Sequence, residues 1–304
     1  MTRIVSRLAI VLVLALSGCA REKQPPLVIF HADSLTAYVA AMAKSFERSH
    51  PGVEVRHEGS GSLDAIRKIT DLHRSCDIIM TADWRLLDDR RIGVEPWLVI
   101  FATNSMGLLY TSRSAGSAEI TADNWYDILA RPGVRYGHSD PARDPAGYWT
   151  LIVWQLAERY YRQPGLAQRL AAQCPAANIR PHNINLISLL QGGELDYYFG
   201  YASDARLAKL NFLALPAEIN LGDPSHTAQY ATASVEVDSG HAKRVIQGGL
   251  IGYAAALTVR SGNRTEAIDF IKLMLGPEGK ELAAQSGFAP YRRVVGSNPP
   301  TWLP

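Results

Sequence analysis

Three stretches of this chain set small polar residues behind an apolar run and ahead of a helical pattern. They are Asp33-Ser34 after Leu27-Val28-Ile29-Phe30, Gly61-Ser62 after the alternating run from Val53 to His57, and Asp144-Pro145-Ala146-Gly147 following Val134 to Gly137. The first turn of a helix leaves backbone N–H groups unpaired, and the helix dipole adds partial positive charge there. An oxyanion fits such an end without help from Lys or Arg. Glycine lets the backbone come close, and serine adds a hydroxyl donor. Ordinary capping competes with this reading, because Ser, Asp and Asn are the usual N-cap residues. Three such ends at the C-terminal edge of strands favour a shared crevice, where ligands of open α/β sheets bind.

Other chemistry is less well supported. Gly59-Ser60-Gly61-Ser62 lacks the spacing of a G-x-S-x-G nucleophile elbow, which weakens an exported serine hydrolase using Ser60 or Ser62. No phosphate-binding P-loop and no dinucleotide fingerprint occurs. Histidines are scattered singly, without metal-ligand spacing, and read as surface or internally satisfied residues. Glu194 and Asp196 read as a solvated edge. Tyr197, Tyr198, Phe199 and Tyr201 read as core, with the Tyr201 hydroxyl available to a ligand.

Strand and helix patterns alternate along the chain. Strands are expected at Leu27–Phe30, Val53–His57, Asp77–Met80, Trp97–Ala102, Met106–Tyr110, Val134–Gly137, Leu195–Tyr201 and Phe212–Leu215. Helices are expected at Ala37–His50, Leu63–Leu72, Trp125–Leu129, Tyr148–Tyr161, Leu186–Leu190, Thr265–Leu275 and Pro277–Ser286. This α/β alternation argues for parallel sheets with right-handed crossovers. Two apolar stretches, near Phe101–Asn104 and Gly252–Ala256, are placed to carry the chain between lobes. The expected division is lobe one at 27–102 with 253–304 and lobe two at 103–252.

The N-terminus carries its own signal. Residues 1–18 combine Arg3 and Arg7, an apolar run and a small-residue end, which together read as a secretory signal. Leu16-Ser17-Gly18-Cys19 resembles a bacterial lipobox, so Cys19 is expected to be lipidated and to anchor the mature protein to the membrane. Residues 19–26 form a polar tether. The chain has 31 basic and 29 acidic residues, and removing Arg3 and Arg7 with the signal leaves 29 against 29. That balance gives no basic footprint for nucleic acid. Cys76 and Cys174 are the cysteines of the body, and their pairing is open at this point.

The sequence resembles the tungstate/molybdate-binding solute receptors of ABC importers, in the branch known from archaea. The resemblance runs through Phe30-His31-Ala32-Asp33-Ser34-Leu35, Gly61-Ser62, Ala82-Asp83, Asp144-Pro145-Ala146-Gly147-Tyr148, Asp196 to Tyr201 and Pro216 to Gly222. It implies a two-lobed type 2 periplasmic-binding-protein fold with the ligand between the lobes. It further implies a monomer without enzymatic activity or cofactor, working with a permease outside the cytoplasm.

By resemblance the oxyanion contacts are Asp33, Ser34, Ser62, Asp144, Pro145, Ala146 and Tyr201, with Asp144 able to reach the metal centre of the oxyanion. A second carboxylate, from a glutamate, makes that metal six-coordinate in the family. Counting back from Tyr201 without a gap puts Asn183 where that glutamate is expected. Asn183 is therefore expected to donate a hydrogen bond to a tetrahedral oxyanion. The departure also leaves phosphate or sulfate as alternative cargo.

Overall fold

The computed structural model describes residues 25–238 and 243–303, so the signal segment and Cys19 lie outside the described residues. The chain opens with β1 (Leu27–Ala32), a nearly continuous buried run of the kind an interior strand requires. A 3-10 turn at Asp33–Leu35 leads into α1 (Thr36–Ser49), then β2 (Val55–Ser60), α2 (Ser62–Thr70) and β3 (Ile78–Thr81). α1 ends at His50 ahead of Pro51-Gly52, where Gly52 adopts a φ of 98° that suits glycine. β4 (Trp97–Thr103) is buried at every position.

Asn104-Ser105 separates β4 from β5 (Met106–Tyr110). There follow α3 (Trp125–Leu129), β6 (Tyr136–Ser139), α4 (Pro145–Tyr160), α5 (Leu166–Gln173), β7 (Ile179–Arg180) and α6 (Asn183–Gly192). Next come β8 (Tyr197–Tyr201), α7 (Ala202–Ala208), β9 (Asn211–Ala214) and α8 (Thr227–Tyr230). A hairpin of β10 (Ser234–Asp238) and β11 (Lys243–Gln247) precedes β12 (Gly252–Leu257), α9 (Arg264–Leu275), α10 (Pro277–Gln285) and β13 (Ala289–Gly296). The hairpin, β7, β13, α5, α7 and α8 are additional to the elements expected from the sequence, and the apolar stretch at Gly252–Ala256 forms strand β12.

The strands form a six-stranded sheet in the order β13-β4-β12-β3-β1-β2 and a five-stranded sheet in the order β7-β6-β8-β5-β9. Each sheet is the centre of one lobe. Only part of each sheet is parallel, which corrects the expectation of parallel sheets. β1 runs parallel to β2 and β3, but β12 is antiparallel to β3 and β4, and β13 to β4. In the second sheet β6 and β8 are parallel, whereas β5 is antiparallel to β8 and β9. β5 and β12 arrive from the other lobe, so no crossover helix on their own sheet fixes their direction.

Apolar clusters fill both faces of the first sheet and continue into the second lobe, where α6 and α7 close a further cluster around Leu109, Leu186 and Tyr198. Cys76 and Cys174 are both buried and free, so no disulfide joins them. Asp196 is not on a solvated edge. It is buried and accepts hydrogen bonds from the Ala115 and Arg135 amides, and Arg135 Nε reinforces the second.

Candidate functional site

The three helix starts differ in how they are finished. Neither Ala32, ahead of the Asp33 turn, nor Leu35, ahead of α1, makes a side-chain capping bond. The Ser34 hydroxyl instead lies 2.9 Å from the Tyr253 hydroxyl, which accepts from Asn104 Nδ2 at 3.3 Å. α2 also begins at Gly61 without a side-chain cap. Ser62 Oγ accepts the Ala82 amide hydrogen at 3.0 Å, which leaves the serine's own hydrogen to donate.

α4 is conventionally capped: Asp144 Oδ1 accepts the Ala146 amide at 3.0 Å. Pro145 has no amide hydrogen and the Ala146 amide is engaged by this cap, so the turn presents a carboxylate and an apolar wall.

Lobe two supplies a fourth helix start. α6 begins at Asn183 without a side-chain cap. The Asn183 amide donates to Asp144 Oδ2 at 3.3 Å, and Asn183 Nδ2 donates to Asp204 Oδ2 at 2.8 Å. Tyr201, at the end of β8, gives its backbone N–H to the same Asp204 oxygen at 3.4 Å. Its ring packs edge-on against Tyr253, 5.9 Å between centroids. Asn183 Oδ1 and the Tyr201 hydroxyl are buried without a hydrogen-bond partner. Such groups are rare in native proteins and mark places where a further polar partner belongs.

These contacts join the lobes. His182 Nε2 lies 3.2 Å from Asp64 Oδ2, and His182 Nδ1 lies 3.8 Å from Asp33 Oδ2. Arg143 Nη2 donates to Asp64 Oδ2 at 2.8 Å. A Cβ added to Gly61 would sit 2.7 Å from the Arg143 carbonyl oxygen and 2.8 Å from His182 Nδ1. The two lobes therefore meet backbone to backbone at this glycine. Deeper in the cleft, the Tyr148 hydroxyl donates to Asp83 Oδ2 at 2.9 Å, and the Arg85 guanidinium lies 4.7 Å from the Trp149 ring centroid.

Burial dominates the electrostatics. It is the main cause that raises Asp144 to about 6 and Asp204 to about 7, with repulsion from Asp33 adding to the first and repulsion from Asp144 and Asp33 to the second. Asp33 is also raised by burial. Burial likewise disfavours the charged form of Asp64, but hydrogen bonds from His182 and Arg143 outweigh it and hold Asp64 below the usual range. His182 is raised, chiefly by its bond to Asp64. Among the described residues, no Lys or Arg hydrogen-bonds to the side chains of Asp33, Ser34, Ser62, Asp144, Asn183 or Tyr201.

Of the sequence-derived candidates, Ser34, Tyr201, Asn183 and Asp144 are joined in one chain of contacts through Tyr253 and Asp204, Pro145 and Ala146 follow Asp144, and Asp33 lies against His182, whereas the Ser62 side chain is held by the Ala82 amide. Asp64, His182, Arg143, Asp83 and Tyr253 complete the cross-lobe contacts, and Asp204 adds a carboxylate beside Asn183. Asp204 stands three residues after Tyr201, in the first turn of the next helix, and that position was its one sequence signal.

The two sheets, the cleft between them and the helix starts facing it define a two-lobed solute-binding protein. The chain belongs to the bacterial extracellular solute-binding protein family, whose model matches residues 27–289. A solute-binding protein of Petrotoga mobilis is 42% identical over 264 residues, covering 86% of this chain and 82% of that protein. The molybdate/tungstate-binding protein WtpA of Thermococcus kodakarensis is 35% identical over 288 residues, covering 86% of this chain and 81% of its own length. The periplasmic molybdate-binding protein of Azotobacter vinelandii superposes with a TM-score of 0.63 at 17% identity, covering 86% of this chain and 98% of that one. The sulfate-binding protein SubI of Mycobacterium tuberculosis superposes with a TM-score of 0.65 at 14% identity, covering 88% and 87%.

Proposed function

We propose that this protein is an extracytoplasmic receptor that binds molybdate or tungstate between its lobes and delivers it to an ABC permease. It works as a monomer, anchored through lipid on Cys19, and carries out no chemistry of its own. Ser34 and Ser62 offer hydroxyl hydrogens from lobe one, and Asn183 and Tyr201 offer polar groups from lobe two. Asp144 contributes a carboxylate oxygen, Asp33 lies at the rim against His182, and Pro145 and Ala146 shape the wall. Lobe one corresponds to 27–102 with 253–304, and lobe two to 103–252.

The observation that carries this reading is one contact network. It links Ser34 to Tyr253, Tyr253 to Tyr201, Tyr201 to Asp204, and Asp204 through Asn183 to Asp144, with polar groups left unpartnered inside it. The relatives whose names carry molybdate and tungstate support the choice of cargo. The acidic side chains argue against sulfate, a dianion with no proton to share with a carboxylate.

Calorimetric titration of the mature protein with molybdate, tungstate, sulfate and phosphate tests the proposal. Tight binding of the first two, with no heat from the others, is the expected result. Binding of sulfate or phosphate alone would keep the receptor and replace its cargo.

A further inference from the structure

Asp204 is costly to the fold in a way that helix capping does not explain. It sits in the first turn of α7 and accepts the Tyr201 amide, as an acidic residue in that position often does. A cap of this kind gives only a modest stabilisation. Asp204 is 3% exposed, and removing a carboxylate from water costs more than such a cap returns unless strong partners replace the solvent. Both of its hydrogen bonds come from neutral groups, the Tyr201 amide and the Asn183 carboxamide, and both end on Oδ2. A second buried carboxylate, Asp144, stands on the other side of Asn183 and accepts the Asn183 amide. Around the pair, Asn183 Oδ1 and the hydroxyls of Tyr198 and Tyr201 are buried without partners.

This arrangement is wrong for a simple anion. A dianion placed among Asp33, Asp144 and Asp204 meets like charge from both lobes. It is suited to an oxyanion whose central atom accepts oxygen ligands beyond its oxides. Molybdenum(VI) and tungsten(VI) are large and electron-poor and do so, whereas the sulfur of sulfate and the phosphorus of phosphate do not. A carboxylate oxygen then meets positive charge at the metal instead of negative charge at the oxide shell.

Building on the oxyanion receptor described above, we infer that Asp204 is a specificity-determining residue of the cleft. It supplies, with Asp144, a second carboxylate oxygen to the metal of the bound oxyanion. Asn183 bonds at 2.8 Å to this acid on the neighbouring helix. Asn183 acts as the positioning residue that orients Asp204.

The test compares the unaltered protein with Asp204→Asn, which keeps the shape and an acceptor for the Tyr201 amide. A charge-exchange variant, Asn183→Asp with Asp204→Asn, returns the carboxylate to the other end of the same bond. Each is titrated with molybdate and sulfate, and the molybdate complexes are examined by X-ray absorption at the molybdenum edge. The expected result is a fall in molybdate affinity of at least about tenfold in Asp204→Asn. That loss should come with one long Mo–O ligand missing, and both should be restored by the exchange. If Asp204→Asn proves too unstable to titrate, the exchange variant carries the comparison with Asn183→Asp alone. Molybdate affinity and coordination unchanged in Asp204→Asn would overturn the inference and leave the receptor reading intact. No molybdate binding by the unaltered protein would overturn both.

Discussion

Tyr148 and Asp83 stand on opposite lobes, and the tyrosine hydroxyl donates to Asp83 Oδ2 at 2.9 Å across the cleft. Asp83 is held from its own side by Arg85, whose guanidinium in turn lies over Trp149 of the other lobe. The contact touches none of the groups assigned to the oxyanion, so it reports on closure alone. A hydrogen bond to a charged group contributes about 1.5–3 kcal/mol. Tyr148→Phe should therefore weaken molybdate binding by roughly tenfold or more, mainly through faster release. Stopped-flow dissociation kinetics measure this; an unchanged release rate would show that closure does not depend on the contact.

Gly61→Ala offers a cleaner wedge. Gly61 has a φ of −53° and ψ of 142°, so alanine adopts the same backbone without strain. Its Cβ would nevertheless sit 2.7 Å from the Arg143 carbonyl, a backbone atom that cannot swing aside. The variant should bind molybdate much more weakly and show a larger radius in small-angle scattering with ligand present. Full closure in that measurement would contradict the prediction.

The acidic pair sets a pH dependence for the ligand-free protein. Burial, with repulsion from neighbouring carboxylates (Asp33 on Asp144, Asp144 on Asp204), raises Asp144 to about 6 and Asp204 to about 7 from an ordinary value of 3.8. An acid raised on folding binds more protons folded than unfolded, so its contribution is present below the unfolded value and is lost as pH rises through the folded one. His182, raised by Asp64, acts in the same direction as it loses its proton. Asp64 is lowered, so its contribution is complete above the unfolded value and fades only in stronger acid. Melting of the ligand-free protein should fall by several degrees between about pH 5 and about pH 8. Asp204→Asn should flatten that slope, and calorimetric melting curves across the range decide it.

The chain from Asn104 through Tyr253 to Ser34 predicts an indirect effect. With Tyr253 donating to Ser34, the serine hydrogen remains available to the oxyanion. Ser34→Ala should cost about 1.5–3 kcal/mol of binding, and Tyr253→Phe a smaller part of it. A double-mutant cycle should give a clearly non-additive sum. Additive losses would mean that Tyr253 does not orient Ser34.

Replacing Cys19 tests the anchor. Cys19→Ser in the full-length chain should move the protein from the membrane fraction to the soluble extracytoplasmic fraction on cell fractionation, with molybdate affinity unchanged. Retention in the membrane would remove the lipid from the proposal.

Much of this architecture was legible because the interior strands are continuous apolar runs and the helices carry plain stop signals, as at Pro51-Gly52. Strand direction was not legible: Met106–Tyr110 and Gly252–Leu257 read identically whether parallel or antiparallel. The alternation of Ser234-Val235-Glu236-Val237-Asp238 was a usable sign of the hairpin. Ser34, Ser62, Asp144, Asn183 and Tyr201 could be found because they recur in a strand–polar–helix setting or match a family pattern. His182 and Asp64 could not, since each is one polar residue among many until the lobes bring them together. Asp196 misled in the other direction, because a charged side chain near a strand end gives no sign that two backbone amides await it.

The two connections between lobes are neighbours in the first sheet, with Thr103 of β4 paired to Gly252 of β12. The register of that pairing shifts between Tyr253 and Ala254, beside the tyrosine that bonds Ser34 and Asn104. Two straps lying side by side behave as a door hinge does: they resist twisting and permit swing about one axis. The receptor can therefore present a single mechanical coordinate, the opening angle, to whatever reads it. A loaded cleft is then distinguished from an unloaded one by the spacing of two rigid surfaces, without the reader ever touching the cargo.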